Sequence, residues 1–384
     1  MTSNESRLPY LPFARPSIDE ETIAGVAEVL RSGWISTGPK VHEFERALSE
    51  YLGGRAVRVF TSATGALEVA LLACGIGPGD EVIVPAMTFA ASANVVVRVG
   101  ARPIFVDVEL ATRNIDPAMI EAAITPHTRA IMPVHFAGLA VEMGRVYEIA
   151  ARHKLRVIED AAHAIGTRWN GRRIGSFGDL VSFSFHPNKN MTTIEGGALS
   201  LPSNAELETV ELHRFHGLVR DAEGRTDVLL PGGKYNLSDV SARIGLSQLK
   251  QLEAFNHKRR QLVGRYFERL MTDPACLHPA RGDEGHSWHM FAPLLPLDRL
   301  NLTRAQFIQA MHERGIGVGV HYPALHLLTS YRKLNYQEGD FPNAERIGRE
   351  TVTLPLFPAM TASDVDRVCD AVSGILRSAK KAHR

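Results

Sequence analysis

RVIEDAAHAIG (residues 156–166) and LVSFSFHPNKNMTTIEGGALSL (180–201) carry the reading of the fold. In the first, apolar residues run into an acidic pair, Glu159 and Asp160, and then into small residues that open a turn. In the second, an alternating strand meets Pro187, a polar loop holding one lysine, and a Gly-Gly pair leading into another strand. Strands that are apolar almost throughout belong to a sheet covered on both faces. Working outward, the same texture recurs: apolar runs at 56–60, 81–85, 101–108 and 129–135 alternate with helix-like stretches at 65–73, 90–98 and 141–151. Repeated strand and helix predict an α/β unit with a mostly parallel sheet between helix layers. Ahead of it, Ser17 and Glu20 have the spacing of a capping box, and Ile23, Val26, Val29 and Leu30 share one face of a helix ending near Gly33.

Beyond about residue 240 the texture changes. A long helical stretch at 242–270 is followed by strand-like pieces at 289–295 and 317–321 with helical segments between them. We expect a second, smaller α+β domain: an N-terminal arm over 1–22, a large domain over 23–250 and a small one over 251–384. A chain of 384 residues exceeds the usual domain of about 100–200, which also favours two units.

Composition narrows the classes of function. Hydrophobic residues at 45% and charged residues at 22% are ordinary for a globular protein. Lys plus Arg (43) balances Asp plus Glu (42), so no global field draws the chain to nucleic acid or an anionic membrane. Cys74, Cys276 and Cys369 are far apart and odd in number, which fits a reducing compartment better than a disulfide framework. MTSNESRLPY is too polar for a signal peptide, and no apolar run approaches the roughly 18 residues that span a bilayer. The expectation is a cytoplasmic protein with no nucleic-acid partner and no membrane insertion.

In an open α/β sheet, ligands bind beyond the carboxyl ends of the strands, and three segments deliver polar groups there. TSATGAL (61–67) closes a strand and opens a helix; its small residues, Ser62 and Ala63 among them, let backbone N–H groups approach an anion, although Ser and Thr are also plain N-caps. Asp160, at a strand end, needs a cationic partner or donors if buried. A protonated pyridine nitrogen is such a partner, and keeping it protonated makes the ring an electron sink. His163 is placed either near the same ring or as a core histidine satisfied by backbone. Lys189 sits on the loop after Pro187. In a partly desolvated pocket with cationic neighbours, a lysine loses pKa and becomes an amine nucleophile able to form an imine with an aldehyde cofactor. A loop lysine alone is usually only solvated; the three segments occurring together, in this order, reverse that reading.

The strings EDAAHAIG, FSFHPNKNMTTIEGGAL and TSATGALEVALLACGIGPGDEVIVP resemble those of the nucleotide-sugar aminotransferases of the DegT/StrS group, within the aspartate-aminotransferase fold. The likeness runs from SGWISTGPK (32–40) through GGKYNLSDVSARIGLSQL (232–249) to RGIGVGVHYPALH (314–326) and LPLFPAM (354–360). Within the group the chain is most similar to the enzymes that aminate the 4-keto pentose of a UDP-sugar, on the route to 4-amino-4-deoxy-L-arabinose for lipid A. The resemblance implies a PLP-dependent transferase of fold type I, with a mostly parallel seven-stranded sheet in the large domain and a smaller α+β C-terminal domain. It implies pyridoxal 5'-phosphate as cofactor, passing through pyridoxamine phosphate, with L-glutamate as donor and a nucleotide-linked keto sugar as acceptor.

Carried over residue by residue, the resemblance makes Lys189 the Schiff-base lysine and general acid/base, and Asp160 the partner of the pyridine nitrogen. Ser62, Ala63 and Ser184 match positions that hold the cofactor phosphate. Asn236 matches a residue that reaches the phosphate from the neighbouring subunit, which implies a homodimer with shared active sites. Phe89 stands where the group stacks an aromatic ring on the pyridine, a position at which the arabinose enzymes carry tryptophan. His163 falls where many members have glutamine. Thr37, His321, Tyr322 and His326 are assigned to the substrate.

Other signals point elsewhere. Gly75-Ile-Gly77-Pro-Gly79 and Gly315-Ile-Gly317-Val-Gly319 lack the strand, tight turn and helix of a dinucleotide loop. His286 with His289, and His321 with His326, have no supporting Cys or carboxylate spacing, so no metal is expected. The basic end, 377–384, reads as a frayed tail. An acceptor of the NDP-4-keto-6-deoxyhexose type is the nearest alternative. A PLP-dependent sugar dehydratase replaces the lysine with histidine, so Lys189 speaks against it, and intact Lys189 and Asp160 disfavour a non-catalytic nucleotide-sugar-binding protein.

Overall fold

A computed structural model describes residues 9–270 and 278–380. Cys276 and the basic residues 381–384 lie outside the described residues, as do the first eight of the N-terminal arm. Helix α1 (Glu20–Ser32) begins at Asp19, whose carboxylate accepts from the Thr22 N–H at 2.8 Å, and ends at Gly33 with φ 73°. The cap is therefore Asp19 and not a Ser17–Glu20 box. The buried face also differs from the expected one: Thr22, Gly25 and Val29 face inward, while Ile23 and Leu30 are exposed.

Helix α2 (Pro39–Tyr51) is absent from the sequence reading, although Val41, Phe44 and Leu48 repeat at helical spacing and are fully buried. Pro39 suits a first turn, where its missing N–H is not needed. Gly38 has no side chain to cap that turn. Asp239, about 200 residues away, supplies one: its carboxylate accepts from the N–H groups of Gly38, Val41 and Lys40 at 2.8, 2.9 and 3.1 Å.

Then follow β1 (Val57–Phe60), α3 (Ala63–Ala73), β2 (Glu81–Pro85), α4 (Ala90–Arg98), β3 (Arg102–Val106), β4 (Thr128–Ile131), α5 (Met143–His153), β5 (Arg156–Asp160), β6 (Leu180–Ser184) and β7 (Gly197–Ser200). They form a seven-stranded sheet in the order β1-β7-β6-β5-β4-β2-β3. Only β7 runs against its neighbours; every other pairing in the sheet is parallel. The near-continuous apolar runs have their cause here. Val82 and Val84 pack into a core with α3 and α4, whereas Ile83 between them packs into another with α5. Register then places the chemistry. Asp160 pairs with Ser182, and Gly197 lies between Ser184 and Phe60, so the ends of β1, β5, β6 and the start of β7 share one edge.

The remainder is mainly helical: α6 (Leu207–Arg214), the 32-residue α7 (Asp239–Leu270), α8 (Arg304–Glu313), α9 (Pro342–Glu350) and α10 (Ala362–Ser378). The first turns of α7 put Ala242 and Leu246 into the core beneath β1 and β6, and its last turns put Tyr266 and Leu270 into a second core with α8 and α10. Residue 250 thus falls within one continuous helix shared by both units. The strand-like pieces at 289–295 and 317–321 form isolated bridges to 351–354, such as Phe291 with Leu354 and Gly319 with Thr353, and not regular strands. Pro293 removes a ladder donor from the first piece, and Pro296 follows its end. The C-terminal segment is tied down as far as Lys380, which bridges Leu300, so fraying does not begin at residue 377. No described helix is long and apolar enough to cross a membrane.

Candidate active site

The shared sheet edge opens on a cavity of about 310 Å3. At its base, Ser62 caps α3: its hydroxyl accepts from the Gly65 N–H at 3.0 Å, and the first helical residues, Ala63 and Thr64, line the cavity. Ser184, mostly buried, joins them from the end of β6. Gly197 makes the approach possible. A Cβ there would fall 2.4 Å from the Ala63 nitrogen and 2.5 Å from the Ser62 carbonyl carbon. A helix N-terminus with a hydroxyl beside it attracts an anion through its free N–H groups and its dipole.

Asp160 enters from the end of β5, nearly fully buried. One carboxylate oxygen accepts from Ser92 Oγ at 2.7 Å and the other from the Ala162 N–H at 3.1 Å. Ser92 itself is held 3.1 Å from the Thr88 hydroxyl. Neither serine nor threonine was singled out from the sequence. Only Ser92 is helical, in the first turn of α4; Thr88 precedes the extended N-cap Phe89, so no helical spacing in the sequence joins the two.

Lys189 projects from the loop after β6. The Phe185 N–H donates to the Gly196 carbonyl and the Thr193 N–H to the Phe185 carbonyl, both at 2.9 Å, closing the loop at its neck. Asn190 Nδ2 donates to Asn256 Oδ1 at 2.7 Å and to the Ser287 carbonyl at 2.9 Å, fastening the loop to α7. Burial lowers the lysine's pKa from 10.5 to about 8, and the carboxylate of Asp160 across the cavity pulls the other way. Of the two causes expected from the sequence, desolvation and cationic neighbours, only desolvation lowers it. Above that pH the amine is a free base on a fixed loop.

His163 is also nearly fully buried, with its ring against that of His289, centroids 4.5 Å apart. Its Nδ1 accepts from the Ala137 N–H at 3.3 Å and its Nε2 is 3.2 Å from the Tyr322 hydroxyl. Burial first, then Lys189 and His321, hold its pKa well below the usual range. The ring is therefore neutral, carries its proton on Nε2 and donates to Tyr322, whose own hydroxyl proton stays available to the cavity. Phe89, the residue before α4, stands at the cavity mouth, its ring centroid 5.7 Å from that of Tyr322, and the residue is 57% exposed.

Of the residues assigned to substrate, His321 and Tyr322 line the cavity. His326 does not. It is fully buried and pairs with Glu345 at 3.0 Å, a packing role in place of the assigned one. Thr37 and Asn236 also lie outside their own chain's cavity lining and hydrogen-bond each other, with the Thr37 hydroxyl donating to the Leu237 carbonyl at 2.8 Å. His186, Asn188 and Glu195 line the cavity near Lys189 and were not foreseen, because their polar side chains read as ordinary loop residues. Among the described residues no group of three His, Cys, Asp or Glu side chains is arranged to hold a metal ion.

The sequence and the fold have known counterparts. Residues 16–373 match the model of the DegT/DnrJ/EryC1/StrS aminotransferase family. The chain is 39% identical to the spore coat polysaccharide biosynthesis protein SpsC of Bacillus subtilis strain 168, over 98% of this chain and 99% of that one. The putative sugar aminotransferase Spr1654 of Streptococcus pneumoniae, solved in a PMP form, superposes with a TM-score of 0.90 at 33% identity, covering 96% of this chain and 98% of that one. The same protein has been solved in a PLP form. Helicobacter pylori PseC, an aminotransferase involved in the biosynthesis of pseudoaminic acid, superposes with a TM-score of 0.91 at 28% identity, over 96% of this chain and 100% of that one. With a family match across nearly its whole length and this fold, the chain belongs to the DegT/DnrJ/EryC1/StrS aminotransferase family and is a pyridoxal-phosphate-dependent sugar aminotransferase of fold type I.

Proposed function

We propose that the enzyme moves the amino group of L-glutamate to C4 of a nucleotide-linked 4-keto sugar, with a UDP-4-keto pentose on the route to 4-amino-4-deoxy-L-arabinose for lipid A as the acceptor. The observation that carries the chemistry is one free amine, Lys189, and one fixed carboxylate, Asp160, on the wall of the same cavity. When bound, pyridoxal phosphate supplies an aldehyde to the amine and a ring that accepts carbanion electrons. The residues present suit it. Ser62, Ala63 and Ser184 would hold its phosphate, Asp160 its ring nitrogen, and Phe89 and His163 would flank its ring. Asp160 is kept as an acceptor by Ser92 and Ala162, which leaves its remaining lone pairs for a cationic N–H. Lys189 Nζ takes the proton from the α-carbon of the donor and, in the second half of the cycle, delivers a proton to the sugar carbon that receives nitrogen. His321 and Tyr322 meet the sugar.

We propose further that the enzyme is a homodimer. Ile18, Ile23, Leu30, Trp34 and Ile35, in and around α1, are each 40% exposed or more, an apolar patch suited to a second copy. Thr37 and Asn236, bonded to each other beyond that patch, then serve the partner's cavity. The free thiols Cys74 and Cys369 suit a reducing cytoplasm.

One observation favours a second acceptor, an NDP-4-keto-6-deoxyhexose: phenylalanine stands at position 89, where the arabinose enzymes carry tryptophan. Amine transfer from glutamate to a panel of 4-keto and 3-keto nucleotide sugars decides. Fastest turnover of the UDP-4-keto pentose is expected; preference for a 6-deoxyhexose replaces that acceptor, and transfer only to 3-keto sugars contradicts the C4 assignment.

A further inference from the structure

The string Gly315-Ile-Gly317-Val-Gly319 plays no part in the mechanism above, and its glycines face the N-terminal arm. The Leu11 N–H donates to the Gly315 carbonyl and the Gly317 N–H to the Leu11 carbonyl, both at 2.9 Å, while the Leu11 side chain is buried in the core of α8 and α10. Arg367 holds the Pro9 carbonyl at 2.8 Å. A Cβ at Gly317 would fall 2.9 Å from the Phe13 nitrogen and 2.6 Å from the Tyr10 hydroxyl, and one at Gly319 would fall 2.7 Å from the His321 ring and 3.3 Å from the Phe13 ring. Bare backbone at both positions thus lets the arm lie against the strip of chain that ends in His321 and Tyr322.

Where the arm arrives, Phe13 stacks on His321, centroids 5.3 Å apart and planes 25° from parallel. The imidazole has one hydrogen bond to hold it, Nδ1 to the Thr353 hydroxyl at 2.8 Å, and its ring meets that of Tyr322 edge-on at 4.8 Å. One hydrogen bond leaves a ring free to pivot about it. A stacked aromatic face removes that freedom. We propose that Phe13 is a positioning residue for the sugar side of the cavity: it fixes the plane of His321, and so the direction of Nε2, from outside the site. Burial, then Lys189, lowers the pKa of His321 to about 4, so the ring that Phe13 orients is neutral and meets sugar hydroxyls as a hydrogen-bond partner and not as a cation. The inference rests on the assignment of His321 to the sugar.

The test compares the full-length holoenzyme with Phe13→Ala, Phe13→Tyr, His321→Ala and the Phe13→Ala, His321→Ala pair, using L-glutamate and the 4-keto nucleotide sugar that turns over fastest in the panel above. Loss of a stacking contact predicts that Phe13→Ala raises the KM for that sugar about fivefold. The glutamate half-reaction, kcat, the visible absorbance of bound cofactor and the melting temperature stay close to wild type, Phe13→Tyr restores KM, and Phe13→Ala adds nothing in the His321→Ala background. An unchanged KM, or the same rise with and without His321, overturns the proposal. If His321→Ala itself leaves the sugar KM unchanged while Phe13→Ala raises it, the assignment of His321 to the sugar falls, and the proposal with it.

Discussion

Lys189 and Asp160 differ in how they are controlled, and the difference is measurable. Burial sets the amine at about 8, so in the cofactor-free protein it is an unreactive ammonium below that pH and a nucleophile above it. The rate at which an amine-directed reagent modifies Lys189 is therefore expected to rise with a midpoint near pH 8; a midpoint near 10.5, that of an ordinary lysine, contradicts the burial account. Asp160 is governed by donors. Ser92→Ala removes its 2.7 Å hydrogen bond and is expected to lower the stability of the cofactor-free protein by about 1.5–3 kcal/mol, read from the denaturant midpoint. The places of Lys189 and Asp160 were legible because each sits in an unbroken string, one on the loop after a strand and the other at a strand end. Ser92 was not, because its contact with Asp160 exists only once α4 packs on the sheet. The substrate assignment of His326 failed for a related reason: the string that carries it gives no sign of Glu345, which takes up its Nε2 in the interior.

At the scale of elements, the parallel strands were the most legible part of the chain, since a strand buried on both faces must be apolar throughout, although the runs at 101–108 and 129–135 overreach β3 and β4. The β7 strand carries a further demand at its first residue. Gly197→Ala places a methyl group against the backbone of Ser62 and Ala63, and is expected to cost about 1–3 kcal/mol and to weaken cofactor binding, followed by melting temperature and by titration with pyridoxal phosphate. A variant that binds cofactor like the wild type would show that the base of the cavity is not the phosphate cradle. What escaped the sequence was long-range: the cap of α2 comes from Asp239 at the start of α7, and the strand-like pieces at 289–295 and 317–321 make only isolated bridges to 351–354.

For the whole molecule, α7 ties the core beneath β1 and β6 to the core of α8 and α10, against which Ile316 and Val318, in the strip leading to His321, are packed. The apolar surface around α1 is expected to give a particle of twice the 42.2 kDa chain mass in sedimentation, and Ile23→Glu with Leu30→Glu to shift it to monomer with loss of transfer activity, because Thr37 and Asn236 are then withheld from the partner's cavity. A wild-type monomer at full activity would remove the shared-site proposal. The central claim is narrower and can be met directly. Borohydride reduction of the holoenzyme, followed by proteolysis and mass spectrometry, should fix the pyridoxyl group on Lys189 and abolish the visible absorbance, and Lys189→Ala should bind cofactor without being trapped. A pyridoxyl group found on any other lysine, or trapping that survives in Lys189→Ala, would contradict the account.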